Sequence, residues 1–201
     1  MPNSPIEFWF DFSSAYAYFA AFELDNLAKR HRCEVTWRPY MLGIAFKHTG
    51  ARGLSSTPMK GDYARHDWAR LSRRTGLKFG PPKEHPIVAL QASRAYYWVE
   101  QHFPDEAHSF AKAAFHAYYA EAQDMTSPAN VAALGSRLGL PVDDLEDGLS
   151  SEAMKAKLKD IGEEAISKGV FGSPFILVDG EPFWGWDRLS MIDDWLQTGG
   201  W

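Results

Sequence analysis

The chain has 201 residues, of which 45% are hydrophobic and 23% charged, with a net charge of −5. This composition is typical of a folded globular protein, and the mildly acidic charge provides no basic surface for nucleic acid or anionic lipid. No apolar run approaches the roughly 20 residues of a transmembrane helix, and the N-terminal segment lacks the features of a signal peptide, so we expect a cytoplasmic protein without membrane or nucleic-acid partners.

The first predicted elements form a β-α-β unit. Residues 6–12 are aromatic and β-branched, which favours a short buried strand. An alanine-rich helix follows, with Ser13 or Ser14 as its N-cap. The alternating pattern of residues 33–40 predicts a second strand, and a right-handed crossover would make the two strands parallel neighbours.

The middle of the chain is predicted to be helical. Before it, the glycines of residues 41–62 predict a loop with at most one short helical turn. Pro86 is expected in the first turn of the second helix of this part, and Ser127 is expected to cap the fourth. The five predicted helices cover residues 62–76, 86–103, 105–123, 127–139 and 150–169.

The end of the chain returns to strands. Asp179-Gly180 between two apolar runs predicts a tight hairpin, and an amphipathic final helix follows it. The order β-α-β, helical block, β-β-α predicts a thioredoxin-like α/β fold with a large all-helical domain inserted after the second strand. We assign residues 1–42 and 169–201 to the thioredoxin-like domain, and residues 43–168 to the insertion with its glycine-rich entry loop.

The turn between the first strand and the first helix is a candidate site. A helix N-terminus stabilises an anion such as a thiolate, and a serine hydroxyl there can lower the pKa of a bound thiol. In a thioredoxin-like protein a Cys-x-x-Cys pair would occupy this turn, whereas this chain has Ser13 and Ser14; the alternative is that either serine only caps the helix. The only cysteine is Cys33, which argues against a disulfide oxidoreductase.

A second candidate site lies where the third strand begins. Proline is excluded from the middle of a central strand, so Pro174 belongs at the strand's start. A cis bond before Pro174 would turn the backbone of Ser173 outward, where its N–H and C=O could pair with an extended peptide. An ordinary trans proline is the alternative.

Charged residues provide the remaining candidates. Asp187 could bind the charged amino-acid end of a ligand, or it could cap the final helix. Lys47 and Lys60, in the glycine-rich loop, could bind a carboxylate or remain solvated. The seven histidines show no metal-ligand spacing and there is no cysteine cluster, so we expect no metal site.

Two of these segments, in this order, resemble the 2-hydroxychromene-2-carboxylate isomerase family, which is related to the kappa-class glutathione transferases within the DsbA-like thioredoxin superfamily. DFSSAYAYF is similar to the family's D-x-x-S-P-[YF]-[AS]-[YW]-L. GVFGSPFILVDGEPFWGWDRL is similar to its G-V-F-G-x-P, D-G and F-W-G-x-D-R. The resemblance spans nearly the whole chain.

The resemblance implies a glutathione site. The serine that follows the first strand would contact the glutathione sulfur, the residue before a cis-proline would pair with the cysteinyl backbone, and the turn after the fourth strand would bind the γ-glutamyl end. One loop lysine would lie near glutathione and the other near the substrate. The implied cofactor residues are Ser14, Lys60, Ser173, Pro174, Gly185, Trp186 and Asp187, with Lys47 at the substrate.

The implied function is glutathione-dependent cis-trans isomerisation of an aromatic 2-oxo acid in aromatic compound catabolism, with Ser14 as the catalytic residue and a homodimer as the expected assembly. One alternative is a kappa-class glutathione transferase, which would consume glutathione instead of regenerating it. The other is a non-enzymatic thioredoxin-like module that binds a peptide or a small molecule.

Three positions depart from the family pattern. Ala15 replaces the proline that usually follows the serine, and Ala51 replaces the asparagine of a T-G-N loop. Trp186 stands where smaller or polar residues are common. A loss of glutathione binding would favour the non-enzymatic module, and the missing amide at Ala51 is consistent with such a loss.

Overall fold

The computed structural model describes residues 5–201 and contains a four-stranded mixed sheet. Its strands are β1 (Ile6–Phe10), β2 (Val35–Pro39), β3 (Phe175–Val178) and β4 (Glu181–Trp184). The order across the sheet is β2-β1-β3-β4, with β1 parallel to β2 and antiparallel to β3, and β3 antiparallel to β4. The predicted thioredoxin-like α/β fold is confirmed; residues 1–4 of its predicted first segment lie outside the described residues.

Strand β1 lies inside the sheet because both of its faces are apolar. Phe8, Trp9 and Phe10 are fully buried. Phe8 stacks on Phe10 at 4.7 Å between ring centroids and meets the edge of Trp37 in β2 at 5.1 Å. This packing holds the carboxyl end of β1, from which the candidate site begins.

The helices cover most of the remaining chain. They are α1 (Ala15–His31), α2 (Leu42–Thr49), α3 (Lys60–Thr75), α4 (Leu90–His102), α5 (Ala107–Glu121), α6 (Pro128–Arg137), α7 (Val142–Ser150), α8 (Glu152–Ser167) and α9 (Leu189–Thr198). Short 3₁₀ segments occupy Leu54–Ser56, Pro104–Glu106 and Trp186–Arg188.

Local capping signals fix several helix ends. Ser14 accepts a hydrogen bond from the backbone N–H of Ala17, and Ser127 accepts one from Asn130, so these serines cap α1 and α6. Gly76 ends α3 with a left-handed φ of 76°. The predictions of a serine cap on α1 and of Ser127 on α6 are confirmed.

The predicted loop over residues 41–62 is wrong in its first half, which forms the eight-residue helix α2. The cause is tertiary contact. A β carbon on Gly162 of α8 would lie 2.5 Å from Cδ1 of Ile44, so the glycine allows α2 to pack closely against α8. In addition, the Leu42 N–H at the start of α2 donates to the carboxylate of Asp11.

Two further predictions in the helical part are wrong. Helix α4 begins at Leu90, so Pro86, which follows a cis bond, lies before it. Before α4 begins, Nδ1 of the His85 ring lies 3.0 Å from the Tyr118 hydroxyl. Helix α7 was absent from the prediction, because its aspartates and Gly148 are poor helix signals.

The structure gives Gly148 a packing role. A β carbon at this position would lie 2.2 Å from Cδ1 of Trp98. The indole of α4 therefore rests directly on the backbone of α7, and this contact supports a helix whose own residues favour it weakly.

The C-terminal hairpin agrees with the prediction. Asp179 and Gly180 have φ values of 52° and 85°, the two positive values that a type I′ turn requires. The turn joins β3 to β4 directly and brings the chain back to the sheet edge. The residues after β4 therefore lie close to those that precede β3.

Buried tyrosines attach the helical block to the sheet. From α4, the Tyr97 hydroxyl donates to the Pro39 carbonyl at 2.7 Å and the Tyr96 hydroxyl to the Trp37 carbonyl at 3.3 Å. Both acceptors belong to β2. Helix α4 thus packs on the strand that precedes the helical block, and the residue limits assigned to the two domains stay a prediction.

Candidate functional site

Ser14 lies at the junction of β1 and α1, and three of its hydrogen bonds define its position there. Its Oγ accepts from the Ala17 N–H at 3.2 Å, its hydroxyl donates to the Ser173 carbonyl at 2.7 Å, and its N–H donates to the Asp11 carbonyl at 2.9 Å. Ser14 therefore both caps α1 and connects this turn to the start of β3. The N–H groups of Ala15 and Tyr16 belong to the first turn, whose donors have no intrahelical acceptors.

The bond between Ser173 and Pro174 is cis, as the resemblance implies. Ser173 Oγ accepts from the Asp11 N–H at 2.8 Å, and the Pro174 carbonyl accepts from the Gly185 N–H at 3.1 Å. The segments around Ser14, Ser173 and Gly185, which the sequence presents as separate candidates, are thus brought together at one end of the sheet.

Asp11 stabilises this group of segments with its buried side chain. Its carboxylate is 3% exposed, and its two oxygens accept the N–H groups of Ser13 and Leu42, each at 2.8 Å. Burial raises the pKa of Asp11, and these hydrogen bonds oppose the rise. One buried carboxylate thereby joins the turn before α1 to the beginning of α2. Sequence reasoning included Asp11 only as a letter of the family pattern.

The turn after β4 presents Asp187 to solvent. Gly185 has a φ of 113°, and a β carbon there would lie 2.5 Å from Oδ1 of Asp187, so a glycine is needed for this carboxylate to fold back. The Asp187 side chain is 65% exposed and pairs with Arg188 at 3.2 Å. The alternative that Asp187 caps the final helix is wrong, because α9 begins at Leu189 and its N-cap position is Arg188. Trp186 is half-buried between Gly185 and Asp187.

The two candidate lysines lie on helix ends. Lys47 is in the last turn of α2, and Lys60 is the first residue of α3. Both are exposed, and within residues 5–201 no hydrogen bond joins either side chain to Ser14. Their proposed ligand contacts therefore stay predictions.

Tyr16 is a polar residue of this site that sequence reasoning missed. Its hydroxyl donates to Asp67 of α3 at 3.0 Å, and its ring meets the edge of Trp68 at 6.1 Å. Burial, followed by the neighbouring carboxylate of Asp67, raises the pKa of Tyr16, so the phenol is neutral. The sequence shows only that Tyr16 lies two residues after Ser14. Its hydrogen-bond partner, Asp67, is 51 residues away and cannot be inferred from the sequence.

Behind Trp68 lies an aromatic group that contains a neutral histidine. The His85 ring is 5.3 Å from Trp68 and 5.9 Å from Tyr119, and Nδ1 is 3.0 Å from the Tyr118 hydroxyl. Burial lowers the pKa of His85 to about 4. Across the part of the chain that is described, the Trp68 Nε1–H and the Tyr119 hydroxyl are buried and have no hydrogen-bond partner.

Two surface clefts lie away from the candidate residues. Two clefts of about 290 and 490 Å³ are lined mainly by α5 with α6 and by α4 with α8, and neither includes Ser14, Ser173 or Asp187. Among residues 5–201 there is no cluster of three His, Cys, Asp or Glu side chains suited to a metal. No helix in the same range is long and apolar enough to cross a membrane.

A cis-proline beside the N-terminus of the first helix, on a four-stranded sheet with inserted helices, defines a thioredoxin-like protein whose cysteine pair is replaced by serines. A family model for the DSBA-like thioredoxin domain matches residues 5–197, and the chain belongs to this family.

Relatives within the family include isomerases and transferases. The chain is 28% identical to 2-hydroxychromene-2-carboxylate isomerase of Sphingobium xenophagum, over 95% of this chain and 97% of that protein. It is 26% identical to glutathione S-transferase kappa 2 of Caenorhabditis elegans, over 98% and 93%. These comparisons confirm the resemblance that the motifs predict.

Solved structures agree on the fold. The structure of a 2-hydroxychromene-2-carboxylate isomerase superposes with a TM-score of 0.88 at 23% identity, covering 96% of this chain and 95% of that one. The cytosolic disulfide reductase DsbM of Pseudomonas aeruginosa, solved with GSH, superposes with a TM-score of 0.70 at 16% identity, covering 96% of each chain.

Proposed function

We propose that the protein is a glutathione-dependent isomerase that catalyses cis-trans isomerisation of an aromatic 2-oxo acid of the 2-hydroxychromene-2-carboxylate type. The observation that carries the proposal is Ser14, which stands at the N-terminus of α1 and is hydrogen-bonded to the residue before cis-Pro174. The turn before α1 has serines in place of a cysteine pair, so a reactive thiol at this turn has to come from a ligand.

The residues of the site fit glutathione. The N–H groups of Ala15 and Tyr16 and the partial positive charge of the helix end favour a sulfur anion near Ser14. The backbone N–H of Ser173, the residue before cis-Pro174, would pair with an extended tripeptide. The exposed Asp187 carboxylate can accept the ammonium group of the γ-glutamyl end, and Lys60 can meet a carboxylate of the same ligand.

Bound glutathione would supply a thiolate nucleophile that adds to a conjugated carbon of the substrate, makes the neighbouring double bond single so that it can rotate, and leaves unchanged. Ser14 would hold the sulfur by hydrogen bonding, for which its hydroxyl has to turn from the Ser173 carbonyl. Lys47 would orient the substrate carboxylate. Neutral Tyr16 and the aromatic side chains beside it would provide an apolar wall for a flat substrate.

Calorimetric titration with reduced glutathione tests the proposal. We expect one-to-one binding that is lost in Asp187→Asn and kept in Asp160→Asn, which removes an exposed carboxylate from α8 as the matched control. Binding should be followed by isomerisation of an aromatic 2-oxo acid with no net consumption of glutathione. Absence of binding at millimolar glutathione would contradict the proposal and favour a module whose Ala51 marks the lost cofactor.

Glutathione transfer of the kappa type is the second candidate, because the similarity to the Caenorhabditis elegans transferase extends over nearly the full length of both chains. The two reactions differ in stoichiometry. An isomerase regenerates all glutathione, whereas a transferase converts one glutathione into conjugate for each electrophile. Mass spectrometry of the products therefore separates them.

A homodimer in the cytoplasm remains the assembly and location that we propose. Light scattering coupled to size exclusion would report one chain or two, since one chain has a mass of 22.7 kDa. If the chain binds glutathione as a monomer, the proposed dimer is contradicted and the proposed function is not.

A further inference from the structure

Trp186 is held by two charged side chains from different helices. Its Nε1–H donates to Oε1 of Glu23 in α1 at 3.2 Å. The guanidinium of Arg74, at the C-terminal end of α3, lies 5.4 Å from the centre of the indole ring. The indole is therefore placed between α1 and α3, although the residue itself belongs to the turn after β4.

The two charges around the indole balance each other. Burial raises the pKa of Glu23, while the Trp186 N–H and the nearby Arg74 guanidinium oppose the rise. A carboxylate, an indole and a guanidinium thus form one small group, in which the indole N–H is bonded to the carboxylate and the ring lies beside the guanidinium. Trp186 is half-buried, so the group is partly shielded from water.

This group fixes the turn that carries Asp187. On one side of the turn, the Gly185 N–H is bonded to the Pro174 carbonyl at 3.1 Å. On the other side, Trp186 ties the turn to Glu23 and Arg74. The backbone between these anchors has little freedom, and the Asp187 carboxylate extends from it into solvent.

We propose that Trp186 is a positioning residue for the glutathione-binding turn, and that Glu23 and Arg74 act through it. This inference rests on the proposed function, because it concerns the binding of the γ-glutamyl end by Asp187. It makes the C-terminal end of α3 part of the cofactor site. The hydrogen bond between Tyr16 and Asp67 also connects α3 to the first turn of α1, and Asp67 precedes Arg74 in that helix.

The contacts lead to graded expectations for four variants. Trp186→Ala removes both contacts and should raise the Kd and the KM for glutathione about tenfold. Trp186→Phe keeps the ring over Arg74 and loses the N–H, so it should be intermediate. Glu23→Gln retains an acceptor oxygen and should stay within about twofold of the native chain, whereas Glu23→Leu should follow Trp186→Phe.

The experiment combines calorimetry with steady-state kinetics. With glutathione saturating, kcat should be unchanged in all variants, because no group that touches reacting atoms is altered. Arg73→Ala is the matched control for Arg74→Ala, since it removes the neighbouring exposed arginine of α3 and leaves the indole contact in place. Thermal unfolding verifies that each variant is folded, and Trp186→Phe replaces Trp186→Ala if the alanine variant is not.

The outcomes separate this inference from the proposed function. Equal glutathione affinity in the native chain and in Trp186→Ala would overturn the positioning role alone. A fall in kcat with unchanged KM would also overturn it, because Trp186 would then act on chemistry. A native chain that binds no glutathione would overturn both.

Discussion

Replacing Asp11 by alanine should destabilise the fold, because it removes the acceptor of two partly buried backbone N–H groups. Those groups belong to Ser13 and Leu42, and each lies 2.8 Å from a different carboxylate oxygen. A buried donor left without an acceptor costs about 1–3 kcal/mol, so two partly buried donors cost up to about 6 kcal/mol together. Relief from holding a carboxylate in a buried position offsets part of this cost, and we expect a net loss of about 3 kcal/mol.

Urea unfolding at neutral pH measures this loss as a change in midpoint at constant slope. For a chain of this size, a loss of about 3 kcal/mol corresponds to a fall in Tm of about 6–12 °C. Asp11→Asn is the matched variant: it retains one acceptor and should lose about half as much. An alanine variant as stable as the native chain would refute the argument that this carboxylate holds the two turns together, and equal losses in both variants would refute the assignment of one oxygen to each N–H.

Three further outcomes follow from the same structure. Ser14→Ala should strongly lower isomerase turnover while costing about 1 kcal/mol of stability through the lost helix cap; full activity with glutathione would contradict its catalytic role, and circular dichroism checks the fold. The pKa of His85 is about 4 when folded, against 6.5 for the free side chain, so its contribution to stability is present above pH 6.5 and lost as the pH falls towards 4. His85→Gln should remove this acid dependence, which amounts to up to about 3 kcal/mol of unfolding free energy. If the unfolding free energies of the native chain and the variant fell equally between pH 6.5 and 4, the prediction would be contradicted. Within residues 5–201 the buried Tyr119 hydroxyl has no hydrogen-bond partner, so Tyr119→Phe should raise the free energy of unfolding by about 1 kcal/mol; a loss of stability would instead indicate a bound water or ligand.

The sequence predicts those elements whose signals are local. The hairpin depends on the positive φ values of Asp179 and Gly180, and the cap of α6 depends on Ser127 and its neighbours, so adjacent residues are enough to find them. Helices α2 and α7 depend instead on distant contacts. Gly162 of α8 faces Ile44 of α2, and Gly148 of α7 faces Trp98 of α4, and neither packing partner is visible from the sequence around the helix that it supports.

The candidate site likewise contains residues that local patterns indicate and contacts that only the fold determines. Ser14 and Pro174 carry recognisable patterns and were found separately, but the hydrogen bond between Ser14 and Ser173 joins residues 159 positions apart. The pairs Tyr16–Asp67 and Trp186–Glu23 were missed, because both join side chains from elements whose relative placement only the fold determines. Trp186 departs from the family pattern, yet nothing in the sequence indicates which residues contact its indole.

The hydrogen bond between the Ser14 hydroxyl and the Ser173 carbonyl has a consequence for how a ligand would enter. A hydroxyl has one proton, and in the structure that proton is given to the chain itself. An arriving sulfur anion competes with the carbonyl for it, so each binding event exchanges an internal bond for an external one. The N-terminal and C-terminal segments are joined at this point, and occupancy of the site would therefore leave one hydrogen bond fewer between them.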